Sequence, residues 1–76
     1  MARRNNIDIC ADILRVARSG AKKTRIVYKA NLNFVIMKDY LKTLKKNGLL
    51  KNEDGFFITT SKGARFLEQY NGLKTF

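Results

Sequence analysis

The stretch that decides the fold is residues 24–50, TRIVYKANLNFVIMKDYLKTLKKNGLL. Its pattern predicts a short helix, a tight turn and a second helix that ends at Asn47-Gly48. Spacings of three and four residues give the second helix an apolar stripe made of Met37, Tyr40, Leu41 and Leu44. The adjacent arc carries Phe34, Val35, Lys38, Lys42, Lys45 and Lys46, with Asp39 at its edge. Such a helix buries its apolar stripe and can turn its lysines toward a polyanion.

This arrangement is typical of the recognition helix in a helix-turn-helix. We predict that the first helix of the motif spans residues 25–30, with Thr24 as its N-cap. The turn is Asn31-Leu32-Asn33, because Asn tolerates the left-handed conformation that ends a helix. The recognition helix then runs from Phe34 to Lys46, with Asn33 as its N-cap.

Length and charge narrow the class of protein. The chain has 76 residues, which indicates a single domain spanning residues 1–76. Its formal net charge is +10, from sixteen Lys and Arg against six Asp and Glu, which indicates a nucleic acid or an anionic surface as partner. Between Ile13 and Lys38 there are seven basic residues and no acidic one. A basic surface that only keeps the protein soluble is the simpler interpretation, but the overlap with the helix-turn-helix favours a nucleic acid.

Several kinds of site are excluded or unsupported. Cys10 is the only cysteine and His is absent, so an internal disulfide and a Cys/His metal site are excluded. The scattered carboxylates form no acid/base pair or nucleophile constellation, so we expect no enzyme, no cofactor and no small-molecule substrate. No transmembrane or secretory segment is visible, so we expect a protein of the cytoplasm, associated with the nucleoid and not with a membrane.

The segments before the motif support it. Residues 1–6 form a basic arm in which Arg3 and Arg4 either reach along DNA or belong to a frayed terminus. An amphipathic helix is predicted from Ile7 to Arg18, with Asn6 as N-cap and Gly20 as its stop. Residues 21–23 are a linker or a short strand that pairs with the later hairpin.

A hairpin and a last helix follow the motif. Residues 49–52 and 56–59 flank Glu53-Asp54-Gly55, and Asp-Gly between apolar runs is a strong hairpin signal. The tip is acidic, which disfavours its insertion into a groove of DNA, although Lys51 behind it can touch a phosphate. Which side chains of the second strand face the core stays open, since the run is apolar on both sides. The last helix begins after Thr60 or Ser61 and is predicted to end at Gly72.

Short motifs along the chain resemble those of a known family. They are Gly20-Ala21-Lys22-Lys23-Thr24, Leu32-Asn33-Phe34, Tyr40-Leu41, Leu44, Gly48-Leu49-Leu50, Thr60-Ser61-Lys62-Gly63 and Phe66-Leu67. From Ile9 to Tyr70 the chain is similar to the winged-helix domain of archaeal predicted transcriptional regulators, a family that includes small basic chromatin-type DNA-binding proteins. The resemblance implies an α+β fold, a winged helix-turn-helix with a three-helix core, a two- or three-stranded antiparallel wing and a C-terminal fourth helix.

The resemblance also implies sequence-tolerant or promoter DNA binding as a dimer. In several members of the family the last helix is long and forms an antiparallel coiled coil with its mate. Here the helix is predicted to stop at Asn71-Gly72, which departs from that pattern. A homodimer through the first and last helices and a monomer therefore both stay open.

The sequence predicts a double-stranded DNA-binding protein, a transcriptional regulator or a nucleoid-associated protein, whose helix 34–46 reads the major groove. The candidate DNA-binding residues are Lys22, Lys23, Arg25, Lys29, Asn33, Phe34, Val35, Lys38, Lys42, Lys45, Lys46 and Lys51. The reading arc has lysines but no Arg or Gln, and only Asn33 at its start. We therefore expect a strong dependence on salt and modest sequence specificity.

Two other functions are open. A protein-interaction module would use the apolar surface of Val35 and Ile36 on the recognition helix. RNA or ribosome binding would use the same lysines, but the sequence shows no aromatic platform on which bases would stack.

Overall fold

The computed structural model describes residues 6–74, so the predicted basic arm with Arg3 and Arg4 lies outside the described residues. The elements in chain order are α1 (Asn6–Val16), a 3-10 turn (Ala17–Ser19), α2 (Lys23–Ala30), α3 (Phe34–Lys46), β1 (Leu50–Glu53), β2 (Phe56–Thr59) and α4 (Ser61–Lys74). This is the α+β arrangement expected of a winged helix-turn-helix, with α2 and α3 as the motif and β1 and β2 as the wing.

The first α-helix ends at Val16, two residues before the predicted Arg18, and a 3-10 turn carries the chain to the predicted stop at Gly20. Gly20 has a φ of 95°, and its N–H donates a hydrogen bond to the carbonyl oxygen of Ala17. The start differs by one residue, because α1 begins at Asn6 itself. Asn6 therefore lies inside the first turn instead of capping it, and its side-chain oxygen accepts a hydrogen bond from the Tyr40 hydroxyl at 2.6 Å. That bond ties the start of α1 to α3.

The helix-turn-helix has the predicted turn and an earlier start. Thr24 is not the N-cap, because α2 begins at Lys23 and Lys22 occupies the cap position without a side-chain hydrogen bond. Asn31 ends α2 with a φ of 55°, in the left-handed region. Asn33 caps α3 as predicted, since its side-chain oxygen accepts a hydrogen bond from the N–H of Ile36 at 2.8 Å.

The wing is a two-stranded antiparallel hairpin with one added bridge. Asp54 and Gly55 form a two-residue turn with φ values of 51° and 82°, the positive pair that a type I′ hairpin turn requires. Ala21 forms an antiparallel bridge with Phe57, with N–H to carbonyl distances of 3.0 Å and 2.8 Å in the two directions. The predicted pairing of residues 21–23 with the hairpin is thus a single residue long.

The register of the hairpin decides which aromatic ring enters the core. Side chains alternate between the two faces of a strand, and Phe57 is buried whereas Phe56 on the opposite face is exposed. Phe57 joins a core whose largest fully buried side chains are Ile13, Leu14, Ile26, Met37 and Leu44. The core therefore receives side chains from α1, α2, α3 and the wing, and holds α3 by its apolar stripe.

The last helix begins as predicted and extends further. Thr60 caps α4, because its hydroxyl oxygen accepts a hydrogen bond from the N–H of Gly63 at 3.1 Å. The prediction that Gly72 ends the helix is wrong, since α4 continues to Lys74 and spans 14 residues. Gly72 does not adopt a positive φ, so it serves as an ordinary helical residue instead of a left-handed cap. The helix is thus two residues longer than the predicted end at Gly72.

Two side-chain bonds fasten the end of α3 to the start of α4. The Thr60 hydroxyl donates to the carbonyl oxygen of Gly48 at 2.6 Å. The ammonium of Lys62 donates to the carbonyl oxygen of Asn47 at 3.0 Å. Both acceptors follow directly after the last residue of α3, where carbonyl groups lack helical partners. The two bonds therefore satisfy exposed backbone acceptors and fix the direction of α3.

Gly63 is required at this junction by space. A Cβ atom at this position would lie 2.3 Å from the carbonyl oxygen of Leu49 and 2.6 Å from a side-chain carbon of Thr59. Because a backbone oxygen cannot move aside as a flexible side chain does, only glycine lets α4 pack this closely on the chain entering β1.

Candidate nucleic-acid interface

The structure separates the two sides of α3 as the sequence predicts. Met37, Leu41 and Leu44 are buried in the core. The lysines of the predicted arc are all exposed: Lys38, Lys42, Lys45 and Lys46. The helix thus presents ammonium groups to solvent from Lys38 to its last residue, Lys46.

Four of the predicted residues meet around one groove between α3 and the wing. Lys23, Lys38, Lys42 and Lys45 line this concavity of about 260 Å³, together with Leu41, Asn52 and Phe57. We call it the α3–wing groove. Lys23 comes from the first turn of α2 and the other three lysines from α3, so the groove joins both helices of the motif.

Among residues 6–72, no carboxylate forms an ion pair with a lysine of the α3–wing groove. Within residues 6–72, the ion pairs join Arg15 to Asp12 at 3.0 Å and Lys51 to Glu53 at 3.3 Å, and neither involves a lysine of the groove. Asp39 lies at the edge of the lysine arc and lines a different concavity, beside Tyr40. Like charges held close together without counter-charges give a positive potential that attracts anions.

The remaining predicted residues lie outside this groove. Lys22 and Arg25 line a second concavity of about 320 Å³, which also includes Phe56. Lys29 is exposed on α2, and Lys46 is exposed in the last turn of α3. The structure therefore distributes the predicted basic residues over two concavities and their surroundings instead of one continuous face.

Lys51 and Asn33 are each engaged within the chain. The ammonium of Lys51 pairs with Glu53 on the same strand, although both side chains are more than half exposed. Such a surface pair contributes at most about 1 kcal/mol, so a phosphate can compete for this lysine. The side-chain oxygen of Asn33 is used in the N-cap of α3, which leaves its amide group as the donor for other contacts.

An apolar surface occupies the start of α3. Val35 is 75% exposed, Phe34 is 51% exposed and Ile36 is 43% exposed. Val35 lies on the lysine side of the helix, three residues before Lys38, whereas Ile36 lies toward the opposite side. The exposed methyl groups of Val35 thus stand beside the cations of the α3–wing groove.

Sequence reasoning missed two exposed aromatic rings, one of which lies under the ammonium of a lysine. The Phe56 ring is 41% exposed, and the ammonium nitrogen of Lys22 lies 5.5 Å from the ring centroid, within cation–π range. Tyr28 on α2 is 80% exposed, three residues after Arg25. The Asp-Gly turn fixes the hairpin register, and this register determines that Phe56 faces solvent. The sequence alone does not show it, because β2 is apolar on both faces and either phenylalanine could face the core.

In the part of the chain that the structure describes, the lone thiol and the carboxylates are not grouped into a further site. Cys10 is half-buried, and burial raises the pKa of its thiol, which fits a small apolar filler. Among the described residues, no three His, Cys, Asp or Glu side chains are grouped so as to hold a metal ion. Over the same part of the chain, no helix is both long enough and apolar enough to cross a bilayer.

Comparisons with known proteins place the chain in a family. It is 34% identical over 68 residues to an uncharacterised protein of Methanocaldococcus jannaschii, a match that covers 88% of this chain and 32% of that protein. The chain thus spans about a third of the length of this relative. It is also similar to the crystal structure of Sso10a-2, a DNA-binding protein from Sulfolobus solfataricus, with a TM-score of 0.85 and 30% identity over 95% of this chain and 80% of that one.

A sequence model of one family covers almost the entire chain. The model describes the winged helix-turn-helix, and it matches residues 3–76. The match agrees with the order of helices and strands, with the capped turn before α3 and with the hairpin after it. The chain therefore belongs to the winged helix-turn-helix family.

Proposed function

We propose that this chain binds double-stranded DNA, with α3 in the major groove, and acts as a transcriptional regulator or a nucleoid-associated protein. The observation that carries the proposal is the α3–wing groove, where four lysines from α2 and α3 converge without counter-charges among the described residues. The similarity to Sso10a-2, a DNA-binding protein, supports the same partner.

The lysines on α3 suit the sugar-phosphate backbone. Lys38, Lys42 and Lys45 follow at spacings of four and three residues, so they form one row with a rise of about 10 Å along the helix. Lys23 extends the row onto α2. Each ammonium is a flexible point charge that binds phosphate without the fixed geometry of a guanidinium. The row therefore anchors the duplex through charge and reads little of its sequence.

Base contacts are left to few side chains. Val35, with its exposed methyl groups, can touch the methyl group of thymine in the major groove, and the Asn33 amide can donate to a base edge. The described part of α3 carries no Arg or Gln, the side chains that form most bidentate contacts with guanine and adenine. The proposal therefore includes modest sequence specificity and a strong dependence on salt.

A titration of labelled duplex DNA over a salt series tests the proposal. The variant Lys38→Glu/Lys42→Glu should abolish binding, because it replaces two phosphate contacts by repulsion. The control Arg18→Glu/Arg65→Glu makes the same change in net charge at two exposed residues outside the groove, and it should weaken binding far less. Circular dichroism checks that both variants fold. Equal binding by the groove variant and the control would show that the duplex does not lie on α3.

A protein-interaction module is the second candidate, favoured by the exposure of Val35, Phe34 and Ile36 at the start of α3. Such a module would bind polyanions weakly and without preference for duplex DNA, and Val35→Asp would abolish its contact with the partner. In the DNA-binding case Val35→Asp lowers duplex affinity, because a carboxylate then stands beside the phosphate contacts.

A homodimer through α1 and α4 belongs to the same proposal. The two helices already pack on each other within the chain, where the Tyr70 hydroxyl donates a hydrogen bond to a carboxylate oxygen of Asp8. A second copy would have to pack on the outer sides of both helices. A sedimentation run gives the mass in solution, and a dimer implies two half-sites about one helical turn of DNA apart.

A further inference from the structure

Aromatic rings and cations alternate along a surface formed by α2 and the outer face of the wing. It consists of Phe56 on β2, Lys22 before α2, and Arg25 and Tyr28 on α2. We call these four residues the aromatic–basic strip. Phe56, Lys22 and Arg25 line one concavity of about 320 Å³, and Tyr28 is the neighbour of Arg25 one turn further along the helix.

The strip faces away from the α3–wing groove. Phe57 lines that groove, and Phe56 lies on the other face of the same strand. Lys22 and Lys23 divide in the same way, the first lining the concavity with Phe56 and the second lining the groove with α3. The two concavities therefore share no lining residue.

The charges near Phe56 favour an anion. The concavity is lined by two cations and no carboxylate. Glu53 is the cross-strand partner of Phe56, but its carboxylate is paired with the ammonium of Lys51 at 3.3 Å. The Lys22 ammonium stands over the ring itself, so a negatively charged ligand that reaches Lys22 also reaches the ring.

The aromatic rings of Phe56 and Tyr28 distinguish between kinds of anionic ligand. In duplex DNA the faces of the bases are covered by their neighbours, so an exposed aromatic ring has no base face to stack on. Unpaired nucleotides expose both a flat base and a phosphate, and they bind where aromatic rings alternate with cations. Inorganic phosphate or an acidic peptide would use Lys22 and Arg25 but would gain little from Phe56 and Tyr28.

We infer that the aromatic–basic strip binds unpaired nucleotides of DNA or RNA. The flexible Lys22 side chain moves from the Phe56 ring to a phosphate, and one base stacks on the ring in its place. Arg25 holds the neighbouring phosphate, and the next base stacks on Tyr28. This site is distinct from the duplex contact proposed for α3, so evidence against one of the two contacts does not count against the other.

Anisotropy titrations of labelled single strands test the inference, with poly-dT and poly-U of equal length and a DNA duplex as the third ligand. Phe56→Leu keeps an apolar side chain but removes the aromatic face, and it should weaken binding of both single strands about tenfold. Phe56→Tyr keeps the aromatic face and should bind as wild type does. The pair Tyr28→Leu and Tyr28→Phe should behave in the same way. Duplex affinity should change less than twofold in all four variants.

The failure of this inference can be told apart from failure of the duplex proposal. In a Lys38→Gln/Lys42→Gln background, where duplex binding is weakened, Phe56→Leu should still cost about tenfold for single strands. A preference for poly-dT or for poly-U identifies the natural strand, and both results support the site. Unchanged single-strand affinity in Phe56→Leu, or an equal loss for duplex and single strands, would overturn the inference. A loss in Phe56→Tyr as large as in Phe56→Leu would do so as well, because it would show that the ring acts through folding.

Discussion

The Thr60 hydroxyl lies 2.6 Å from the carbonyl oxygen of Gly48 and donates a hydrogen bond to it. The same hydroxyl oxygen accepts a hydrogen bond from the N–H of Gly63. One side chain thus binds the backbone just after α3 and also caps the N-terminus of α4. Since the lysine row lies on α3, the direction in which it points depends on this junction.

Replacement of Thr60 by valine tests the junction. Thr60→Val keeps the shape but removes both hydrogen bonds, and it should lower the free energy of unfolding by about 1–2 kcal/mol. Urea denaturation followed by circular dichroism measures the change. Thr60→Ser keeps the hydroxyl and should stay close to wild type. A serine variant as unstable as the valine variant would mean that the methyl group, and not the hydroxyl, holds the junction.

Two glycines of α4 should respond in opposite directions to the same substitution. Gly63→Ala places a Cβ 2.3 Å from a backbone oxygen, and we expect a loss of about 3 kcal/mol in the free energy of unfolding. Gly72 has no atom within 4 Å of such a Cβ, so Gly72→Ala should raise the free energy of unfolding by about 0.5–1 kcal/mol through better helix propensity. Thermal unfolding of the two variants side by side gives the comparison, and a mild Gly63→Ala would contradict the close packing.

Lys23 should act with the lysines of α3 although it belongs to α2. Removal of its charge in Lys23→Gln should lower the slope of log affinity for duplex DNA against log salt by about 0.9, as expected for one phosphate contact. Arg65→Gln on α4 removes one charge elsewhere and should leave the slope unchanged. If both variants have the wild-type slope, the groove does not bind the backbone through Lys23.

The acidic tip of the wing should weaken duplex binding. Glu53→Gln removes a negative charge from the wing and so reduces long-range repulsion of the duplex, and duplex affinity should rise about two- to fivefold at low salt and less at high salt. Asp54→Asn makes the same change in charge at the turn, and Asn tolerates the positive φ found there. Unchanged affinity in both variants would place the tip of the wing away from the bound duplex.

Cys10 should be a poorly reactive thiol. Burial raises its pKa, so near pH 8.5 it carries less of the nucleophilic thiolate than an exposed cysteine does. We expect slow alkylation by iodoacetamide in the folded protein and a rate typical of a free thiol in urea. Because the raised pKa favours the protonated thiol in the folded state, its contribution to stability is present below the unfolded pKa and is lost as the pH rises above it. Rapid alkylation of the folded protein would contradict this burial.

Local signals in the sequence were sufficient for most of the fold. The bounds of α3 follow from its apolar spacing and from the Asn33 cap, both of which are contacts within one turn. The Asp-Gly turn and Gly20 act just as locally, through backbone conformations that few residues adopt. The start of α2 could not be predicted, because it depends on the bridge between Ala21 and Phe57, after which the chain stays extended through Lys22 and turns helical at Lys23. That bridge joins residues far apart in sequence.

For the candidate site, the sequence predicts which residues take part but not how they are arranged in space. Spacing along one helix placed the lysines of α3 on a common arc, but it gave no information on how α2 and the wing face that arc. The sequence predicts a helix stop at Gly72 because glycine is common at helix ends, and only the backbone conformation shows that this glycine lies inside the helix. The outward direction of Phe56 depends on hairpin register combined with core packing, which a uniformly apolar run does not reveal.

The bridge at Ala21 has a consequence for how this protein can change over evolution. Lys22 and Lys23 are adjacent in sequence, yet they line different concavities, since the chain leaves the bridge extended and enters α2 at once. A single-residue insertion between the bridge and the helix would turn each lysine away from the concavity that it lines, and it would shift the start of α2 by one residue. The number of residues between the Ala21 bridge and α2 is therefore constrained more tightly than their identity. Homologous chains should vary in the residues of this segment while keeping its length.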